Sequence, residues 1–127
     1  MSGELDGAAV SMPEFELTTA VDASTITVNA VGTADLRVKD ALDSALGKVH
    51  DEALRLGSKE VAVDLRKLEF MNSSCLKCFV SWIGKIQGLE RARQYHVRLL
   101  SRNDFLWQRR SLHALRSFAI DVVSVET

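Results

Sequence analysis

A short apolar run at residues 61–65 limits the folds open to this chain more than any other segment. The run contains two valines and reads Val-Ala-Val-Asp-Leu, which is typical of a strand in the interior of a sheet. Apolar residues recur at helical spacings of three and four on both sides of it, at Leu42, Leu46 and Val49 before the run and at Leu76, Phe79 and Ile83 after it. A strand flanked by helices joins its neighbours through crossover connections, so the pattern predicts an α/β fold with a largely parallel sheet.

The remaining segments complete an order of β-β-α-β-α-β-α-β. Residues 14–20 and 25–30 alternate with period two around a turn at 22–24 and predict a hairpin, whose first strand should lie at the edge of the sheet. The first helix should begin near Val38 and end at Gly57. The second should run from residues 72–74 to about 91–93, after a loop carrying Phe70, and the third should be capped at residues 103–104. We expect a mixed sheet of four or five strands with the helices packed mainly on one face.

The length of 127 residues predicts a single folded domain. Residues 1–12 are rich in Gly, Ala and Ser without a period, so we interpret them as a flexible tail and residues 13–127 as the domain. The first ten residues contain Glu4 and Asp6 and do not look like a signal peptide. No apolar run approaches the roughly 18 residues that a membrane helix needs, so we expect a cytoplasmic protein without a membrane partner.

Charge is distributed unevenly between the two halves of the chain. Residues 1–64 contain 5 basic and 12 acidic residues, and residues 65–127 contain 11 and 5, which gives net charges of −7 and +6 within a total of −1. In a compact domain the opposite charges of the two halves neutralise each other. The alternative is that the basic half forms a groove for an acidic partner. The basic residues are not interleaved with aromatic ones and match no nucleic-acid motif, so we expect no nucleic-acid partner.

The periodicity also predicts which side chains form the core. We expect eleven apolar residues to be buried together because each lies on the apolar stripe of its element. They are Leu42, Leu46, Val49, Val61, Val63, Leu76, Phe79, Val80, Ile83, Val97 and Leu99.

The segment from residue 61 to residue 76 carries the strongest functional signal. A strand ends in Asp64-Leu65, a loop brings Phe70 and Met71, and the residues Asn72-Ser73-Ser74-Cys75-Leu76 open an apolar helix. This pattern resembles the anti-sigma factor antagonists, the bacterial STAS-domain family, whose helix begins with Asp-Ser-Ser/Thr-Gly-Leu. The likeness extends to residues 32–35, which match the family's Gly-x-x-Asp, and the element order fits from about residue 13 onward.

The resemblance implies a STAS-like fold and a protein-binding switch in a partner-switching pathway. In that family a partner that is both anti-sigma factor and serine kinase of the GHKL type phosphorylates the first serine of the pair, and a PP2C-type phosphatase removes the phosphate. The matching position is Ser73, with Ser74 as the alternative acceptor. The residues implied to contact the partner are Asp35, Asn72, Ser73, Ser74, Cys75 and Lys77.

Two positions depart from the family pattern. Asn72 stands where the family has Asp, and Cys75 stands where it has Gly. Asn72 retains the ability to cap a helix, but it removes a carboxylate beside the acceptor serine. These departures leave open a second interpretation, in which the protein is a non-phosphorylated STAS scaffold in a signalling assembly. A third interpretation takes Ser73 and Ser74 as a plain pair of helix-capping residues.

Cys75 and Cys78 form a Cys-x-x-Cys pair at a predicted helix start, which is where thioredoxin-like proteins carry their redox pair. The flanking Trp and Gly-Pro are absent, and no proline follows the pair in the sequence. The three histidines, His50, His96 and His113, lack metal-ligand spacing, so we expect no zinc site and no cofactor. Since the sequence also shows no catalytic constellation, we expect a non-enzymatic protein, with thiol redox chemistry as the weakest alternative.

Overall fold

The computed structural model describes residues 2–3 and 8–127, which form one sheet and three helices. The strands are β1 (Ser2–Gly3), β2 (Val10–Met12), β3 (Phe15–Asp22), β4 (Thr25–Ala34), β5 (Glu60–Met71), β6 (His96–Leu100) and β7 (Val123–Glu126). The helices are α1 (Lys39–Leu56), α2 (Ser73–Gln87) and α3 (Leu106–Phe118), with a short 3₁₀ turn at Arg91–Arg93. The predicted β-β-α-β-α-β-α-β order is confirmed from β3 onward.

The sheet combines one antiparallel hairpin with a parallel half. Strands β3 and β4 pair antiparallel across a two-residue turn in which Ala23 has a positive φ of 56°. Strands β4, β5, β6 and β7 then lie side by side and all pair in parallel. The spatial order is β1-β3-β4-β5-β6-β7, and β2 also pairs with β3. The predicted mixed sheet is therefore confirmed, although it has seven strands rather than four or five.

All three helices pack on one face because each crossover moves one strand further in the same direction across the sheet. Crossovers between parallel strands are right-handed almost without exception, so three successive steps the same way place three helices on the same side. The core lies between this face and the helices, around Val61, Val97 and Val123. The opposite face is open and carries polar side chains, including the ion pairs of Arg98 with Glu60 and Glu126 at 2.9 Å each.

The residues predicted to form the core are buried on α1 and on the strands. On α2 the buried face is rotated slightly from the predicted one. Leu76 is only partly buried and Val80 is 36% exposed, so Val80 was wrongly assigned to the core. The buried stripe of α2 instead includes Cys75, Cys78 and Trp82, while Ile86, which lies on the predicted apolar stripe, is buried. The burial of Leu46 and Ile83 is as predicted.

Strand β5 is longer than its neighbour β6, and α3 compensates for the difference. Pairing with β6 stops at Asp64, whereas β5 continues to Met71, so the predicted loop around Phe70 is a strand instead. The buried side chain of Gln108 donates its amide to the carbonyl oxygen of Leu68 at 3.1 Å and also to that of Leu65. Trp107 Nε1 donates to the same Leu68 oxygen at 3.1 Å. These side chains satisfy β5 carbonyl groups that β6 does not reach.

The N-terminal residues differ from the predicted tail where they are described. Residues Val10–Met12 pair with β3, and Ala8 and Val10 are buried, so a flexible tail is wrong for this part. Ser2–Gly3 also pairs with β3, which means that β3 is not the edge strand that was predicted. Met1 and residues 4–7, which the tail prediction also covers, lie outside the described residues.

Two helix ends were also placed differently by the sequence. Helix α2 ends at Gln87, where Gly88 follows, and residues 91–93 form the separate 3₁₀ turn. Helix α3 begins at Leu106 without a side-chain cap, so the cap predicted at residues 103–104 is wrong. Asp104 instead accepts hydrogen bonds from Arg102, at 2.6 and 3.0 Å.

The interface between α1 and α2 contains a buried polar network. His50 Nδ1 lies 2.7 Å from the Tyr95 hydroxyl, and Trp82 Nε1 donates to the same hydroxyl at 2.7 Å. Burial lowers the pKa of His50, with a further lowering by Lys85, and burial raises the pKa of Tyr95. The indole N–H can only donate, so the tyrosine hydroxyl accepts from Trp82 and joins the indole to the His50 ring.

Candidate functional site

The candidate site lies at the edge of the sheet where the parallel strands β4 and β5 end. The backbone N–H of Asn72 donates to the carbonyl of Ala34 at 2.9 Å, and Cys75 Sγ donates to the carbonyl of Asp35 at 3.2 Å. These contacts bring the segment after β4 against the start of α2, so the two sequence motifs form one surface.

Gly32 allows β4 to turn toward this surface. Its φ of +102° is a conformation that L side chains rarely adopt, and an added Cβ would collide with the carbonyl oxygen of Glu14. The pairing with β5 shifts register on either side of this residue, and Thr33 N–H donates to Glu14 at 2.7 Å. A residue with a side chain would clash here, which explains the glycine of the motif.

Asn72 is the N-cap of α2. Its backbone is extended, and its side-chain oxygen accepts a hydrogen bond from the Cys75 N–H at 2.9 Å. The predicted capping ability of Asn72 is confirmed, and the interpretation of the two serines as the capping pair is wrong because neither occupies the cap position.

Ser73 and Ser74 therefore stand in the first turn with no capping duty. Ser73 is the first residue of α2 and is exposed, whereas Ser74 is half-buried. Neither hydroxyl makes a hydrogen bond with any residue in the described ranges. The first turn of α2 contains no acidic residue, and Lys77 is exposed one turn further along the helix. This end of α2 presents unpaired N–H groups and a free hydroxyl to solvent.

Asp35 is bound by an arginine that sequence reasoning missed. Arg37 contacts the Asp35 carboxylate at 2.8 Å and the Glu14 carboxylate at 3.0 Å. The hydrogen bond from Arg37 lowers the pKa of Asp35, which also accepts the backbone N–H of Arg37 at 3.0 Å. Asp35 is thus held in place at the surface by Arg37, which it shares with Glu14.

Cys75 and Cys78 point away from this surface. Both thiols are buried, and Cys78 Sγ lies 3.6 Å from the carbonyl of Lys39 on α1. Burial raises the pKa of Cys75 to about 11, with a contribution from Cys78, and burial also raises the pKa of Cys78. The redox interpretation required an acidic thiol, so the geometry does not favour it. The fully buried side chain of Cys75 also cannot make the partner contact predicted for it.

Two exposed apolar side chains lie on the segments that meet at this edge. Leu36 is 67% exposed beside Asp35, and Phe70 is 47% exposed just before Asn72. A shallow groove of about 240 Å³ adjoins them, lined by Met12, Pro13, Glu14, Phe15, Thr33, Arg37 and Val38. Exposed apolar groups beside polar ones are typical of protein-binding surfaces. Of the two exposed apolar side chains, only Phe70 was indicated by the sequence, through its place in the motif.

Within residues 2–3 and 8–127, no group of three or more His, Cys, Asp or Glu residues is arranged to hold a metal ion. In the same part of the chain, no helix combines the length and the apolar character needed to cross a membrane.

The surface and the fold together define a two-layer α/β domain with an accessible helix N-terminus at one edge, and solved structures share this architecture. An anti-sigma factor antagonist from Mycobacterium paratuberculosis superposes with a TM-score of 0.62 at 19% identity over 86% of each chain. The Bacillus cell fate determinant SpoIIAA in its phosphorylated form gives a TM-score of 0.58 at 14% identity, over 89% of this chain and 91% of that one. Its unphosphorylated form gives 0.56 at 18% identity, over 89% and 88%.

The fold is therefore that of the anti-sigma factor antagonists, the STAS fold. No protein-family model matches the chain, and no curated relative matches it.

Proposed function

We propose that this protein is a binding regulator of the anti-sigma factor antagonist kind, and that phosphorylation of Ser73 releases it from its partner. The observation that carries the proposal is the exposed Ser73 hydroxyl, which has no structural role, at the end of α2 that packs against the segment after β4. The fold neighbour SpoIIAA, whose structure is known in phosphorylated and unphosphorylated forms, supports the same assignment.

A phosphate on Ser73 would be compatible with the fold. The phosphate would add a charge of about −1.5 to −2 at a helix N-terminus, where N–H groups and the helix dipole favour anions. The cap would survive because Asn72, and not the modified serine, accepts the hydrogen bond from Cys75. Lys77 would contribute a positive charge one turn away, on the same exposed end of α2.

The same phosphate would oppose binding of a partner to this surface. Leu36 and Phe70 are exposed on the segments that meet at this end of α2, and in a complex a dianion on Ser73 would lose its water with only Lys77, one turn away, as a nearby cation. Asp35 cannot compensate because it is itself an anion, and its own cation, Arg37, is shared with Glu14. Charge at Ser73 would therefore weaken the complex while the free protein stays folded.

The partner implied is a GHKL-type serine kinase that is also an anti-sigma factor. It would transfer the γ-phosphoryl group of ATP to the Ser73 oxygen, with loss of the hydroxyl proton and release of ADP. A PP2C-type phosphatase would hydrolyse the ester, returning the serine hydroxyl and inorganic phosphate. Ser74 is the alternative acceptor, although its half-buried position makes it less accessible.

A second candidate function is a STAS scaffold that is never phosphorylated. The replacement of an acidic residue by Asn72 at the cap favours this candidate, since the first turn of α2 contains no carboxylate. Both candidates use the same surface, and they differ only in phosphoryl transfer to the serine pair.

The test measures binding of the GHKL-type kinase of the same organism to wild type, Ser73→Ala, Ser73→Asp and Ser74→Ala, with phosphate mapped by mass spectrometry. Ser81→Asp is the matched control, because Ser81 is exposed on the same helix but two turns from its start. We expect Ser73→Asp to weaken binding at least about tenfold, which corresponds to 1.4 kcal/mol. Ser73→Ala and Ser81→Asp should bind like wild type, and all variants should melt near the wild-type temperature.

If Ser73→Asp binds as tightly as wild type and no phosphate appears on either serine, the scaffold function replaces the switch. If the wild type does not bind the kinase at all, the partner assignment itself is wrong.

A further inference from the structure

A groove between α3 and β7 is lined mostly by polar side chains and has no place in the function proposed above. It has a volume of about 270 Å³ and lies beyond the carboxyl ends of β6 and β7. The lining residues are Ser101, Arg102, Asn103, Gln108, Arg109, His113, Arg116, Val125 and Thr127.

The groove concentrates basic side chains on one stripe of α3. Arg109, His113 and Arg116 are spaced four and three residues apart, so they lie on the same side of the helix. Each of these three residues directly follows a buried residue of α3, so the stripe lies next to the core-facing side of the helix. There it lines the groove together with Val125. No Asp or Glu side chain is among the residues that line the groove.

The arginines of this stripe belong to the half of the protein's arginines that form no ion pair in the part of the chain that the structure describes, together with Arg91, Arg93 and Arg110. Five arginines, Arg37, Arg55, Arg66, Arg98 and Arg102, form ion pairs with carboxylates. Arg109 and Arg116 have no carboxylate partner among the described residues, although both are exposed and could reach solvent-exposed acids. The stripe therefore lacks the charge compensation that the paired arginines have.

The arrangement of donors fits a phosphate group better than a carboxylate. Donors come from α3 through Arg109, His113 and Arg116, and from the β6–α3 connection through Asn103. They therefore approach a central ligand from more than one direction, which suits the tetrahedral oxygens of a phosphate, and guanidinium groups bind such oxygens in pairs. The volume lies just below the roughly 300–1,000 Å³ of pockets for drug-sized ligands, which indicates a small ligand.

We infer that this groove binds a small molecule that carries a phosphate or diphosphate group, held by Arg109 and Arg116 with His113 between them. The site is separate from Ser73, and it stands whether or not the switch proposed above is correct.

The test is isothermal titration of the full chain with sodium pyrophosphate at low ionic strength, with sodium chloride of equal ionic strength as the blank. The purification tag is placed at the N-terminus because Thr127 lines the groove. The variants are Arg109→Gln and Arg116→Gln. Arg110→Gln is the matched control, because Arg110 is the neighbouring arginine on α3, is equally exposed, and does not line the groove.

We expect one pyrophosphate per chain, and a loss of at least about tenfold in affinity for Arg109→Gln and Arg116→Gln, since one charge-assisted hydrogen bond accounts for that much. Arg110→Gln should bind within about twofold of wild type, because salt screens charges that do not touch the ligand. Ser73→Ala should bind like wild type.

Three results would overturn the inference. The first is an absence of binding beyond the chloride blank. The second is an equal loss in Arg110→Gln, which would indicate general attraction to a basic helix. The third is tighter binding of citrate than of pyrophosphate, which would assign the groove to carboxylates.

Discussion

The buried network of His50, Tyr95 and Trp82 allows a test of the packing between α1 and α2. The substitution Tyr95→Phe keeps the ring and removes only the hydroxyl that joins the other two side chains. It leaves a buried indole N–H and a buried imidazole nitrogen without partners, and each such group costs about 1–3 kcal/mol. We therefore expect the free energy of unfolding to fall by about 2–5 kcal/mol, a large part of the roughly 5–15 kcal/mol of a typical domain.

The assay is urea unfolding at pH 7.5, followed by circular dichroism so that the signal does not depend on Trp82 itself. The control is the double variant Tyr95→Phe with His50→Leu, which removes the unsatisfied imidazole along with its partner. Removing both partners costs less than the sum of the two single changes. A double-mutant cycle completed with the single variant His50→Leu should therefore show a coupling energy of about 0.5–3 kcal/mol. A loss below about half a kcal/mol for Tyr95→Phe, or strict additivity in the cycle, would refute the network.

The same network makes stability depend on pH through His50. Its pKa in the folded protein lies below the ordinary value, mainly because of burial and then because of Lys85 and Arg93, while Asp51 acts in the opposite direction. The unfolded chain therefore takes up the proton first, near a pH of about 6.5. The contribution of His50 is fully present above that pH and is lost as the pH falls toward the folded-state pKa. Stability should decrease between pH 7.5 and 5, and His50→Leu should flatten this part of the profile, whereas parallel profiles would contradict the assignment.

Further predictions concern the core and the thiols. Leu46→Ala and Ile83→Ala should each cost about 2–5 kcal/mol of unfolding free energy in the same urea assay, because both side chains are fully buried. Val80→Ala on the same helix as Ile83 should cost less than about 1 kcal/mol, and an equal cost would mean that the assigned face of α2 is wrong. Cys75 should react with iodoacetamide at pH 7.5 about a hundredfold more slowly in the folded than in the unfolded protein, since burial raises its pKa to about 11; equal rates would show an accessible thiolate.

The sequence predicted the elements whose periodicity extends over several turns or residues. Helix α1 and the hairpin were correct because their apolar residues repeat regularly. The strand at Val10–Met12 has only three residues, too few to show a period, and it forms because β3 offers an edge for pairing. The end of β5 was missed because its charged residues suggested a loop, whereas its carbonyl groups are satisfied by side chains from α3.

The candidate site was predictable where its residues are neighbours in sequence. The cap at Asn72 and the exposure of Ser73 follow from a local motif that needs no tertiary contact. The role of Arg37 was not predictable, because one of its two carboxylate partners, Glu14, is 23 positions away and meets it only through the fold. The burial of Cys75 likewise depends on the packing of α2 against the segment after β4.

The hydrogen bonds from the Gln108 side chain to β5 limit which connections of this domain can gain or lose residues. Gln108 also accepts the backbone N–H of Arg102 at 2.8 Å, so it ties the whole β6–α3 connection to the sheet. An inserted or deleted residue between Leu100 and Leu106 would carry Gln108 away from the carbonyls of Leu65 and Leu68. The stretch from Gly88 to Gln94 has no comparable anchor to the interior, because its residues are exposed or half-exposed. Homologous domains and engineered insertions should therefore vary in length after α2 and stay constant before α3.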